Sequence, residues 1–335
     1  MGLIDTLSSG FKVVQRRPWL VLLPVLLDLW LWLGPRWSIQ LLADSLLRFW
    51  TTENLPPELA QTAEPYRQFL LAAGANYNLW WLVDNNPAWL RTALPGLAEP
   101  AGLVAAPGVI ETPALALLLW APLLLLLGVA LGSAFLAAVA SQLPAPPVDE
   151  AKLAPVEPNA VEPAPDRPET GLWLRRAART FVLATVFGLL VLALLLLGSL
   201  LLAIVLTPLF LIAPQAGAGA TSLAALMVGW FSVVFYVMFY FVLAAIVSDG
   251  VGLWQAMWRS FNVVYRNFWG TLGLLLLTTL ILWGFGLIWQ RLAAGSAVGV
   301  LAAIAGIAVL VTGLTAARLI FYRDRSARWL AALKE

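Results

Sequence analysis

A carboxylate inside an apolar run has the greatest chemical potential in this chain. Asp28, in "VLLPVLLDLWLWL", is the only acid placed well inside one. An ionisable group at membrane depth is a functional candidate by default, because burying its charge is costly. The chemistry open to it is ion or proton transfer. A relay needs a second group, and no second acid, lysine or histidine lies within the apolar runs. A protonated or packed structural carboxyl is the plainer reading, with Asp28 near the outer end of a short run or beside an arginine.

The remaining chemistry is defined by the residue types that are missing. The 335 residues contain no cysteine and no histidine. Disulfides, thiolate nucleophiles, haem and iron–sulfur ligation by the usual residues, and nearly every zinc or copper site are excluded. Imidazole acid–base catalysis is excluded too. The chain has no phosphate-binding lysine motif, no nucleophile elbow and no carboxylate pair facing one site. No catalytic residue, cofactor or metal is expected. The net charge of +2 gives no basis for nucleic-acid binding.

The elements that must position these residues are membrane spans. Hydrophobic residues make up 61% of the chain and charged ones 11%, against about 25% charged in soluble domains. Several apolar stretches exceed the roughly 20 residues needed to cross a bilayer. The expected fold is all-α, a polytopic transmembrane helix bundle of about six spans with amphipathic interfacial helices. The spans read as Trp19–Leu33, Pro113–Val139, within Thr180–Ile212, within Leu223–Val247, Thr271–Trp289 and Val298–Phe321. The third run is too long for a perpendicular span and must tilt, protrude or bend near Pro208.

Charge sets the orientation. Lys12, Arg16 and Arg17 precede the first span, and Arg175, Arg176 and Arg179 the third. Arg259 and Arg266 lie between the fourth and fifth, and Arg323, Arg325, Arg328 and Lys334 come after the sixth. With six spans all fall on one side, which the positive-inside rule makes cytoplasmic, together with both termini. The start of the chain is not read as a cleaved signal peptide. Asp28 interrupts its apolar core, and "LWLGPRW" offers no small-residue cleavage site.

The chain divides into five regions. Residues 1–35 hold the N-terminal segment and first span, and 36–112 an exoplasmic, membrane-resting helical insert. Residues 113–143 are the second span. Residues 144–170 are a disordered cytoplasmic linker with eight prolines and many acids, a composition unable to bury a core. Residues 171–335 form a four-span bundle with an interfacial helix over 250–268. In the insert, Ile39, Leu42, Leu46 and Phe49 share one helical face. Tyr77, Trp80, Trp81 and Trp89 place aromatic rings at headgroup level, as a cap or as a groove for lipid or a partner.

The stretch "SDGVGLWQAMWRSFNVVYRNFWG", Ser248–Gly270, reads as an amphipathic surface helix. Asp249 is expected to cap it, with Gly250 and Gly252 forming the bend. Trp254, Met257, Trp258, Phe261, Val264, Tyr265 and Phe268 recur at helical spacing, and Trp269 is next in the chain. Gln255, Arg259, Asn262 and Arg266 take the other side, where the arginines meet lipid phosphates. Paired small residues mark helix seams, internal or between subunits: Gly128 with Gly132, and Gly295 with Gly299, continuing to Ala303 and Gly306.

"AAIVSDGVGLWQAMWRSFNVVYRNFWGTLGLLLL" resembles a stretch of bacterial six-span proteins. These are the membrane domain attached to some glycerophosphoryl diester phosphodiesterases, and related stand-alone proteins. Ala256, Arg259, Ser260, Asn267, Phe268 and Trp269 match its surface-helix pattern. "FKVVQRRPWLVLLPVLLDL" resembles its opening, a helix before a proline-led first span. The resemblance covers about a quarter of the chain, and the large insert and proline-rich linker depart from it. It implies no catalysis, since no phosphodiesterase domain is present.

These readings lead to an expectation of a non-catalytic protein of the bacterial inner membrane. It would be a scaffold, an accessory subunit or a lipid-interacting module. Its partner is the lipid bilayer, with a membrane-protein partner or a homo-oligomer left open. The alternative is a transporter component for an apolar or lipid-like substrate, with a cavity near Asp28, Thr207 and Pro208.

Overall fold

The computed structural model describes residues 2–49, 57–84, 108–143 and 169–332. The linker over 144–168 and Trp89 lie outside the described residues.

Helix α1, Leu3–Arg16, stops before Pro18. Proline suits a first helical position, where its missing N–H costs nothing, and it opens a 3-10 turn over Pro18–Val21 that feeds α2, Leu22–Leu33. Helix α2 closes at Gly34, whose N–H donates to the Trp30 carbonyl at 2.8 Å. Four residues of turn and twelve of helix rise roughly 26 Å. That falls short of the about 30 Å of a hydrocarbon core.

The insert is built on a ribbon that alternation did not signal. Strand β1, Arg36–Ser38, runs parallel to β2, Val109–Glu111, with Trp37 opposite Ile110. Helices α3, Gln40–Phe49, and α4, Pro57–Asn76, pack together where Gly74 meets Ala43. Asn78 ties the ribbon to the segment after α4. Its side-chain oxygen accepts from the backbone N–H groups of Trp37 and Trp80, both at 3.2 Å. A single helical turn, α5, spans Trp81–Asp84.

The rest of the described chain is mostly long helices: α6 Ala114–Ser141, α7 Glu169–Ile212, α8 Pro214–Met238, α9 Val242–Asp249, α10 Leu253–Arg266, α11 Phe268–Ala293 and α12 Ala297–Ala332. With no water to satisfy backbone groups in lipid, each apolar run closes its own hydrogen bonds as a helix. Among the described residues, five helical segments are long and apolar enough to cross a membrane: Ala114–Ser141, Gly171–Pro208, Gly219–Asp249, Phe268–Ala293 and Ala297–Ala332. The chain is a multi-pass helical membrane protein. The expected first span is the shorter apolar segment Pro18–Leu33.

Pro208 lies inside α7, which runs on to Ile212 and gives way only before Pro214. One local expectation changes. The fourth run is not one helix, because α8 and α9 are separated by an irregular turn over Phe239–Phe241.

The described residues group into two compact units. One comprises Met1–Val13, Leu136–Thr278 and Leu314–Glu335. Its core holds Phe241, Ile246, Ala256, Val263, Val264, Leu319, Phe321 and Tyr322, and the Phe241 and Phe321 rings stack at 5.7 Å. The other comprises Val14–Phe135 and Thr279–Gly313. There Val25, Leu29 and Trp32, one face of α2, pack on Ala293, Val300, Ala303 and Ile304.

Candidate functional site

The densest polar chemistry lies in the first unit, around the broken helix. Interrupting a helix strands carbonyl and N–H groups that lipid cannot satisfy. Two side chains supply the missing partners. The Ser260 hydroxyl, fully buried, donates to the Met238 carbonyl at 2.9 Å and accepts from the Phe241 N–H at 3.1 Å. The Arg318 guanidinium donates to the Tyr240 carbonyl and lies 4.2 Å above the Tyr240 ring. Arg318 is 6% exposed, so its charge rests on the carbonyl end of α8 and on an aromatic face. Both are favourable places for a cation.

Helix α9 ends at Gly250, whose φ of +61° is the left-handed conformation that glycine adopts freely at a helix C-terminus. The turn presents Asp249 sideways. Its Oδ2 takes Arg259 Nη1 at 2.5 Å and the Tyr322 hydroxyl at 2.7 Å. Asp249 therefore does not cap the surface helix as expected. Gly252 is the N-cap of α10, and no side chain caps it. The carboxylate serves better as a three-way tie between α9, α10 and α12. Arg259, expected to face lipid phosphate, is held in that tie with its side chain 16% exposed.

Helix α10 also has a packed side, which its helical spacing did not announce. Ala256, Ser260, Val263 and Val264 are buried, and Ala256 and Ser260 are small enough to bring α10 onto α9. Val264 belongs to this side rather than to the aromatic one. The aromatic residues face outward: Trp254 is 80%, Trp258 58%, Tyr265 70% and Trp269 79% exposed. Trp258, Phe261 and Tyr265 stack in sequence at 6.3 and 6.0 Å. Arg266 is exposed in the last turn. Asn267 closes the helix, with its side-chain N–H donating to the Val263 carbonyl at 3.0 Å.

The second unit holds the remaining candidates. Asp28 is fully buried on α2 beside Pro24 and Leu27. A second acid accompanies it in that unit: Asp84, at the end of α5, is 8% exposed. Its place in the insert, outside any apolar run, hides it from a search of those runs. Trp80 packs edge-on against Trp30 at 5.5 Å and tilted against Trp37 at 5.6 Å, and Trp37 meets Trp120 edge-on at 5.0 Å. Trp81 packs on Tyr77 at 5.3 Å, and burial pushes the Tyr77 phenol up from its ordinary pKa.

Three of the four glycines are in close packing. A Cβ on Gly128 would lie 2.5 Å from the Val83 carbonyl oxygen, so α5 packs directly on α6 there. Gly128 is fourteen residues past Ala114, about 21 Å along the helix. Gly132 is buried one turn further on. Gly299 backs onto the Leu292 carbonyl and Gly306 onto the Trp289 ring, which makes this a seam between α11 and α12. Gly295 lies in the connecting turn and only approaches the Leu292 carbonyl, at 3.8 Å from an added Cβ. Thr207 is exposed, its hydroxyl donating to the Ala203 carbonyl of its own helix at 2.7 Å.

Sequence reasoning missed Arg318 and Tyr322 and reached Ser260 only as a matched position. The one signal available was an arginine inside the apolar run "LTAARLIF". Compared with known proteins, the chain matches no family model, no curated protein and no solved structure.

Proposed function

We propose that the protein is a non-catalytic, lipid-interacting scaffold of the bacterial inner membrane, with both termini on the cytoplasmic side. Helix α10 lies along the cytoplasmic boundary of the bilayer. The observation that carries this reading is the division of α10 into a side locked to the bundle and a side of exposed, stacked rings. An exposed tryptophan ladder is unstable in water and favourable at headgroup level. The arginines near the ends of α7, α10 and α12 suit the positive-inside side.

Purification in mild detergent, with assay of the co-purifying lipid, tests the reading. Retained phospholipid well above that of a control membrane protein is expected, and it should fall in a W254S/W258S/W269S variant. A bare monomer with no enriched lipid or partner overturns it.

A transporter for a lipid-like substrate stands as the second reading. The pair of buried acids in one unit, Asp28 and Asp84, favours it.

A further inference from the structure

The insert reaches deep into its unit. A Cβ on Gly128 would lie 2.8 Å from the Val83 Cα. Gly128 is fourteen residues from the start of α6 and thirteen from its end, so it stands about 20 Å from either end of the helix. Val83 and its neighbour Asp84 therefore sit near the middle of a membrane span, on a single helical turn. Higher up, Trp37 packs on Trp120, six residues into α6. The Trp37 carbonyl accepts the Leu79 N–H at 2.9 Å. From there the chain descends along α6 to Gly128, eight residues past Trp120, or about 12 Å.

Non-helical backbone survives at that depth only inside protein or against water. Asn78, Leu79, Val83 and Asp84 are all buried. Groups with unmet hydrogen-bonding capacity are strung along the same descent. Thr112, just before α6, is 4% exposed, and among the described residues its hydroxyl has no hydrogen-bond partner. The indole N–H groups of Trp37 and Trp80 are likewise without one there, as is the hydroxyl of Ser133, fully buried five residues past Gly128. Such groups are costly unless water or a ligand meets them. An ionised carboxyl at mid-depth is costlier still, and a cation at its oxygens offsets the charge.

We infer that residues 77–84 form a re-entrant loop, and that its Asp84 carboxylate is a site for a small monovalent cation entering from the exoplasmic side. The one carboxylate on the loop matches a single positive charge. The rings of Trp37 and Trp80 beside the descent offer faces that attract a cation. Interrupted backbone near the midplane is also where membrane carriers hold their ions. The side of entry rests on the orientation proposed above, while the site itself goes beyond both functional readings.

The chain contains no cysteine, so single introduced thiols report on the loop. The probe is the impermeant cationic reagent methanethiosulfonate ethyltrimethylammonium, applied to spheroplasts in sodium chloride or in choline chloride of equal ionic strength. L82C, two residues before Asp84, should label from the outer face. L126C, exposed on α6 two residues before Gly128, should not, although both thiols should label fully after denaturation. Sodium should slow L82C labelling about threefold relative to choline by occupying the site. L82C/D84N should lose that slowing while eluting in detergent as L82C does, which separates a lost site from a folding defect. L82C as unreactive as L126C, sodium no better than choline, or sodium protection that survives D84N each overturns the inference. Labelling of L82C in inside-out vesicles alone overturns the orientation and the side of entry, and sodium protection under that condition would still support the site.

Discussion

Arg318 holds Tyr240 twice, its guanidinium donating to the Tyr240 carbonyl while lying 4.2 Å over the ring of the same residue. The two are 78 positions apart in the chain. Tyr240 is one residue into the irregular turn that separates α8 from α9, so Arg318 fastens α12 to the break itself. Replacing a buried ion pair by apolar residues is often neutral. That escape is closed here, because the carbonyl partner belongs to the backbone and no substitution removes it. R318M should lower stability by about 2–4 kcal/mol, from an unsatisfied buried carbonyl and a lost cation–π contact. R318K should fall between. Thermal unfolding in detergent checks this, and equal midpoints for R318M and wild type would refute it.

Ser260 satisfies the other two groups of the same break. S260A leaves the Phe241 N–H and the Met238 carbonyl without the hydroxyl at 3.1 and 2.9 Å. A loss of about 1–3 kcal/mol is expected. S260T keeps the hydroxyl but adds a methyl at a fully buried position, so it should rescue only in part. Hydrogen exchange supplies a second readout. The amide of Phe241 should lose protection in S260A, while amides in the middle of α11 should not.

The Asp249 tie should behave as a coupled unit. Asp249 bonds Arg259 and Tyr322 through one oxygen, and its side chain is 19% exposed. Partial cover lifts such a pair above the few tenths of a kcal/mol typical of exposed ion pairs. A double-mutant cycle with D249N and R259Q should give a coupling energy of about 1 kcal/mol, persisting in moderate salt. Y322F should cost about 1 kcal/mol by itself and nothing further in the D249N background. Strict additivity across the cycle would show that the contact carries no energy.

How much of this was legible depends on where the deciding contact lies. Five of the six expected spans were readable, because lipid forces each long apolar run to close its own hydrogen bonds. The aromatic side of α10 was readable because Trp254, Trp258, Phe261 and Tyr265 repeat at helical spacing. Its packed side was not. Ala256 and Ser260 are neither strongly apolar nor charged, and their burial is set by α9, whose position no local pattern encodes. The same holds for Asp249. Ahead of a helix it reads as a cap, and only the fold brings Tyr322 from 73 residues away to claim it. The break in α8–α9 has no proline to announce it. The β1–β2 ribbon joins residues too far apart, over too short a span, for alternation to register.

Packing at Gly128 separates two meanings of glycine. A Cβ there would lie 2.5 Å from the Val83 carbonyl oxygen and 2.8 Å from the Val83 Cα, backbone atoms that cannot rotate away. Gly198 in α7 has nothing within 4 Å of such a Cβ. G128A should therefore destabilise by about 1–3 kcal/mol through overpacking. G198A should be neutral or stabilising by up to about 1 kcal/mol, because alanine is the better helix former. Detergent unfolding of the two variants side by side is the check, and equal effects would mean that α5 does not rest on α6.

Asp28 decides between the two functional readings. It is fully buried, and Asp84 gives its unit a second carboxyl that an ion or proton path requires. A structural carboxyl that is protonated or fully hydrogen-bonded tolerates an amide of the same shape, whereas a carboxyl that cycles its proton does not. Under the scaffold reading, D28N should keep the wild-type unfolding midpoint within about 1 kcal/mol, while D28L should lose more by leaving polar neighbours unsatisfied. Vesicles carrying the wild-type protein should move fluorescent lipid between leaflets no faster than protein-free vesicles. Transport by the wild type that D28N abolishes, with the midpoint unchanged, would replace the scaffold by a permease and give Asp28 a direct role in it.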